Sequence, residues 1–297
     1  MTVGPRQLLV AAALSAAAFF GVYALAYEWH TGGQLDGRAL VGFSVIRVSL
    51  ATHAAHFFQS LCDPAPYLLI CVVIAAIVLV TRGLVLTGAF IAVVAAANAS
   101  TKALKPLIAS ASGVHEGPLS TVGVGSFPSG HSTAAMAVAC GVVIVASPAL
   151  RSLGVIAGGL FVMAVSWSEV LLSAHLPSDV MGGYLVGTFW ALLALAALAG
   201  MPVRLRSSDR RTAWDPGLRL PSLSTATATI VIVGAIADIL AIIRLRPAAT
   251  RASSLIDFGL VAVTMTLLLA ATIATVAAFA DAARLEPALP GDRFGDR

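Results

Sequence analysis

Charge is what this chain has least of. Of its 297 residues only 11% are Asp, Glu, Lys or Arg, while 59% are hydrophobic and the mean hydropathy is +0.94. Soluble domains carry roughly 25% charged residues, so this composition excludes an ordinary soluble protein and points to a chain that crosses a membrane several times. Lysine is almost missing, with 2 Lys beside 16 Arg and 14 acidic residues. No cluster interleaves basic with aromatic side chains, so the +4 net charge does not describe a nucleic-acid surface and reads as membrane-flanking loops. Cysteine is scarce too: Cys62, Cys71 and Cys140 lie in or beside apolar runs. That reads as lone membrane-buried thiols, with a Cys62–Cys71 pair as the alternative. No internal repeat is present.

What the chain does have is a series of apolar runs near the 20 residues that cross a bilayer. The first, Leu8 to about Ala26, is too long for the core of a signal peptide and ends in Tyr23, Tyr27 and Trp29, residues that suit a membrane interface. Further spans are expected over Pro66–Val80, Leu84–Ala97, His131–Ala146, Gly154–Ser173, Leu176–Ala199, Thr227–Ile243 and Leu255–Phe279. The fold class is therefore all-α, a polytopic helical bundle. The expected layout is a six-helix core over residues 1–200, a basic cytoplasmic linker over 201–222, two additional transmembrane helices over 223–281, and a disordered tail over 282–297. The less apolar stretch Thr31–Asp63 is expected to lie on the outer surface as an amphipathic segment. Its His53 and His56 are spaced for one helix face, but no third ligand is near enough for a metal site.

Orientation follows from the positive residues. With eight spans and both termini in the cytoplasm, 11 Arg fall inside, and Lys105, His131 and His175 share the outer face. Arg244, Arg246 and Arg251 run against the rule. Asp238 would interest a transporter reading, but its place near the outer end of a span suits a structural or snorkelling role.

Ser126-Phe127-Pro128-Ser129-Gly130-His131 opens the fourth span, and His175 with Asp179 stands at the start of the sixth. Two histidines and a carboxylate in so apolar a chain are costly to bury unless paired and used. A neutral imidazole can attack phosphorus and form a phospho-histidine that water then opens. It must be held in one tautomer by an acceptor on its other nitrogen, and Asp179, four residues after His175, is placed to be that acceptor. His131 can protonate the leaving oxygen. Ser129, Gly130 and the helix start can hold phosphate oxygens, and Lys105 adds a cation on the same face. His115 and Glu116 lie in the intervening loop and read as part of a polar connection.

These motifs resemble those of the phosphatidic acid phosphatase type 2 superfamily, which also includes the vanadium haloperoxidases. Its second signature is intact as Pro128-Ser129-Gly130-His131. Its third stands here as Ser168-Glu169, five residues, His175, three residues, Asp179, and its first would run from Lys105 to Ser112-Gly113. The resemblance covers about residues 8–200. It implies His175 as nucleophile, Asp179 as its orienting carboxylate, His131 as general acid, and Lys105, Ser129 and Gly130 as phosphate contacts; no metal or other cofactor is expected, since side chains supply the cations. Both family arginines are replaced, by Ser112 and Glu169, and Lys102 is a candidate substitute cation. Arginine grips phosphate through paired hydrogen bonds, so Glu169, Ser112 and Lys102 become modulators of the site.

The expected function is hydrolysis of a phosphorylated membrane lipid, phosphatidate or a polyprenyl phosphate or diphosphate, at the outer face of the plasma membrane. The alternative is a relative that keeps the fold as a binding or scaffold protein. The lipid and the phosphorylated substrate are the expected partners, nucleic acid is not, and the oligomeric state is open. A cysteine placed between Ser110 and Pro118 should react with a membrane-impermeant reagent on intact cells, and protection would overturn the outward orientation.

Overall fold

A computed structural model describes residues 3–45, 49–111, 126–201, 220–245 and 252–283. Among them every regular element is helical: α1 (Pro5–Tyr23), α2 (His30–Val45), α3 (Ser49–Ser60), α4 (Pro64–Arg82), α5 (Leu84–Ala111), α6 (Gly130–Val145), α7 (Pro148–Leu171), α8 (Pro177–Gly200), α9 (Leu223–Leu245) and α10 (Ala252–Ala282). The end of α1 widens into π-type turns over Ala24–Glu28. Seven of these helices are long and apolar enough to cross a membrane, and the protein is a multi-pass membrane protein. The eighth expected span, α6, has 16 residues and is the shortest apolar helix of the set.

Helices are the form such runs must take, because in lipid every backbone N–H and C=O needs a partner within its own segment. α6 and α8 form the centre. Almost every residue of α6 is buried, and its contact faces are built from Ala, Ser, Thr and Gly, which let neighbouring backbones come close. α8 packs against α1, α5, α6 and α10. Proline at the first turn starts α1, α4, α7 and α8, where a missing N–H costs nothing.

One contact governs the position of everything chemical. The backbone N–H of Ser129, at the start of α6, donates to the carbonyl of Asp179 in the first turn of α8 at 2.9 Å. Two glycines make that approach possible. A Cβ on Gly183 would sit 2.9 Å from the Thr133 nitrogen and 3.0 Å from the Ser129 carbonyl oxygen, and one on Gly182 would meet the Phe127 ring at 2.6 Å.

Three expectations are corrected. Thr31–Asp63 is not a surface segment throughout: α2 packs against α10, with Phe43 fully buried and Asp36 almost so, while α3 buries only Ala55. Its mixed polarity reflects a buried carboxylate with partners of its own. The third run does not end near Ala97, because α5 continues through Asn98, Lys102 and Pro106 to Ala111. Those polar residues lie along a cleft, so polarity there does not mark the end of the helix. The fifth run begins earlier, at Pro148.

The appended helices are packed into the bundle. α10 touches α2, α6, α7, α8 and α9. Arg151 at the start of α7 is 2% exposed, donates to the carbonyls of Val143 and Ala146, and pairs with Asp281 near the end of α10. Asp238 of α9 is buried and accepts from the Thr266 hydroxyl of α10 at 3.3 Å, a structural tie between the two helices. Arg246, Arg251, the linker over 202–219 and residues 284–297 lie outside the described residues.

Overpacking a close helix contact costs about 1–3 kcal/mol. Gly183→Val should therefore lower the melting temperature of the detergent-solubilised protein, whereas Gly130→Ala, with open space around its Cβ position, should leave it nearly unchanged.

Candidate active site

His175 owes its place to a tight chain reversal. α7 closes with the N–H of Ala174 donating to the Glu169 carbonyl and that of Ser173 to Val170, and Ser173 takes a left-handed φ of 55°. Such a residue ends many helices and is usually glycine. Leu176 then caps α8, and Asp179, three residues on, reaches back to accept the Leu176 N–H at 3.1 Å. The same oxygen, Oδ2, lies 3.1 Å from His175 Nδ1. An acceptor there fixes the tautomer with the proton on Nδ1 and leaves the lone pair on Nε2.

Asp179 has further donors that the sequence did not single out. The Ser126 hydroxyl donates to Oδ2 at 2.7 Å and the Tyr27 hydroxyl to Oδ1 at 2.5 Å. Tyr27 is held in turn by a cluster with Tyr23 and Phe127. Behind the turn, Asp36 of α2 accepts both the N–H and the hydroxyl of Ser178. The aromatic exit of the first span was legible as an interface belt, but its role as a donor was not.

His131 stands in the first turn of α6. Its Nδ1 is 3.4 Å from Glu169 Oε1, and its Nε2 is 3.4 Å from Asp63 Oδ1. Both ring nitrogens thus face carboxylate oxygens, an arrangement that a ring carrying two N–H groups satisfies. His175 Nε2 lies 3.6 Å from the same Oε1. The two imidazoles therefore converge on one point, with His131 Nδ1 and His175 Nε2 at most about 7 Å apart.

Glu169 has no solvent exposure. It accepts the Ser129 hydroxyl, which lies 2.8 Å from Oε1 and 2.6 Å from Oε2, and it also accepts the Ser132 hydroxyl. Hydroxyls, a helix start and two imidazoles are the groups that hold an anion, and a side chain of the protein is already among them. Ser129 also caps α6 through the Ser132 N–H. Ser132 was not expected from the sequence.

From His131 and His175 a cleft of about 820 Å³ runs between α4 and α5. Its polar end holds Asp63, Gly130, Lys102 and Lys105, and its other end is lined by Leu68, Val72, Phe90, Ile91 and Val94. Since α4 buries only Val78 within the bundle, the cleft lies under a helix that mostly faces lipid. At 1.5 Å per residue, Phe90 to Lys105 spans roughly 22 Å along α5. Cys62 also lines the cleft, but burial, helped by the Glu169 and Asp63 charges, pushes its thiol up to about 12, so it is no nucleophile. Among the described residues no group of three His, Cys, Asp or Glu is placed to hold a metal ion. Ser112, His115 and Glu116 lie outside the described residues.

The helices that carry this arrangement, α5 to α8, coincide with a family assignment. Residues 84–200 match the model of the PAP2 superfamily. The expected resemblance is thereby met over this segment. No curated protein matches the chain. Among solved structures, a transmembrane PAP2-type phosphatidylglycerolphosphate phosphatase from Bacillus subtilis aligns over 65% of this chain and 94% of its own, with 24% identity and a TM-score of 0.47. The matched segment contains every site residue expected from the motifs, whereas Tyr27, Asp36 and Asp63 come from before it.

Burial pushes the Asp36 carboxyl up to about 7, with the Asp179 charge adding to the rise and the Ser178 hydrogen bonds opposing it. In the folded protein Asp36 then keeps its proton up to about pH 7, and in the unfolded chain it loses it near the ordinary carboxylate value. Its stabilising contribution is present at low pH and is lost as pH rises through that window. The melting temperature should fall between about pH 4.5 and about pH 7.5, and Asp36→Asn should shrink that fall. An equal fall in both proteins would contradict this.

Proposed function

We propose that this protein is an integral-membrane phosphatase that hydrolyses a phosphorylated lipid, phosphatidate or a polyprenyl phosphate or diphosphate, through a phospho-histidine on His175. The observation that carries the reading is the approach of His131 Nδ1 and His175 Nε2 to one shared oxygen position at the polar end of an amphipathic cleft.

In this reaction His175 Nε2 attacks phosphorus while Asp179 keeps the proton on Nδ1. As the phosphorus–oxygen bond to the lipid breaks, His131 passes its proton to the leaving oxygen. Water, deprotonated by His131, then attacks phosphorus and breaks the nitrogen–phosphorus bond, which frees phosphate and restores both imidazoles. Ser129 and the N–H groups at the start of α6 take the phosphoryl oxygens, as helix starts do. Lys102 and Lys105 supply cations at the cleft mouth in place of the replaced arginines. The apolar walls accept the chain of the lipid entering from the side.

The site lies at the end of the bundle away from Arg82 and Arg151, which favours an outward-facing site under the positive-inside rule. A second reading, binding without hydrolysis, is favoured by Glu169, whose carboxylate takes the Ser129 and Ser132 hydroxyls that a phosphoryl group would use.

Purified protein in detergent should release phosphate from phosphatidate, polyprenyl phosphate or polyprenyl diphosphate, and His175→Ala should lower that release by at least about 10³-fold, a loss of about 4 kcal/mol of transition-state stabilisation. Equal release by the two proteins removes the phospho-histidine reading, and no release by either favours the binding reading.

A further inference from the structure

The chemistry of Glu169 reaches beyond the replacement of an arginine. Its Oε1 closes the gap between the two imidazoles, and the carboxylate is entirely buried. The groups that face it come from every side. His131, Ser129 and Ser132 belong to α6, and His175 to the turn before α8. Tyr184 of α8 is near enough to feel its charge. Cys62 and Asp63 stand across the cleft, where Lys102 and Lys105 are the cations. Asp179 is committed to His175, Tyr27, Ser126 and the Leu176 N–H.

A phosphoryl group entering between the rings must meet Glu169 Oε1. Two unprotonated oxygens facing each other in a buried site repel, and the Ser129 and Ser132 hydroxyls are already spent on Glu169. One proton changes the sign of the contact, since a P–OH donating to a carboxylate, or a carboxyl donating to a phosphoryl oxygen, is a charge-assisted hydrogen bond. A phosphate monoester can bring that proton, because its second ionisation falls near pH 6. A tetrahedral dianion that has no proton to share cannot.

We propose that Glu169 is a specificity-determining residue that makes this pocket select a phosphoryl group carrying one proton, shared with Glu169 Oε1, over a fully ionised tetrahedral dianion. The inference rests on the His131–His175 pocket being the anion site, but not on turnover. Discrimination of this kind comes from an unpaired repulsive contact against the wrong ligand as much as from attraction to the right one.

The test compares inorganic phosphate with sulfate, two tetrahedral anions of similar size, of which only phosphate carries a proton at about pH 6. Binding of each is measured by calorimetry to the full-length protein in detergent. The wild type should bind phosphate at least about tenfold more tightly than sulfate, and its phosphate affinity should fall as pH rises to about 8. Glu169→Gln, whose amide can donate to a bare oxygen, should lose most of that preference by gaining sulfate affinity.

Equal wild-type affinity for the two anions overturns the inference, as does an undiminished preference in Glu169→Gln. If Glu169→Gln is not monodisperse, Glu169→Ala takes its place, and the wild-type comparison is decisive against the proposal by itself. A protein that shows the preference but hydrolyses no lipid would keep this inference and lose the hydrolytic function. One that hydrolyses lipid without the preference would do the reverse.

Discussion

The site depends on one carboxylate that is bound on both its backbone and its side chain. Asp179 receives the Ser129 N–H on its main-chain carbonyl and fixes the His175 ring with its side chain. It thereby joins the start of α6, the start of α8 and the end of α1, from which Tyr27 reaches it. Leaving such a buried acceptor without donors would be expensive, and here each donor is itself seated by packing. Ser126 and Tyr27 stand beside the buried Phe127 ring, and Asp36 steadies Ser178 from behind. Preorganisation of this kind is what the proposed nucleophile needs, since a ring free to turn would present its lone pair only part of the time.

Against that order stands the charge balance of the pocket. Where a phosphate site gains from arginine, this one has a glutamate with hydroxyl donors and two imidazoles already turned toward it. The lysines that line the cleft stand on α5, and their ammonium groups are point charges without the paired geometry of a guanidinium. A pocket so composed offers less positive charge than one with two arginines, and the proposed ligand has to suit that balance as much as the histidines.

Much of this was legible in the sequence because the signals were local. Apolar length gave the helices, and the spacing of His175 and Asp179 is one turn, so their contact needed no tertiary knowledge. Pro-Ser-Gly-His at the mouth of an apolar run placed Ser129 and His131 together. What escaped were contacts between residues far apart in the chain. Tyr27 and Asp179 are separated by 152 positions and Asp36 and Ser178 by 142, and a single tyrosine or aspartate carries no pattern that names its partner. The polar residues of α5 were misread for a related reason: composition tells where water or a ligand is met, not whether the helix stops there. Glu169 stood out against the motif that the sequence resembles, but only the fold reveals that it lies between the two rings.

α10 packs along the bundle, touching five other helices and fastening Arg151 near its far end. A helix in that position behaves as a keystone rather than an annex. The half that resembles the PAP2 superfamily is therefore not a detachable module: excising the last hairpin would remove Phe258 from against Phe43, which also packs on Trp167, and grafts or minimal versions of this protein would have to carry the hairpin with them.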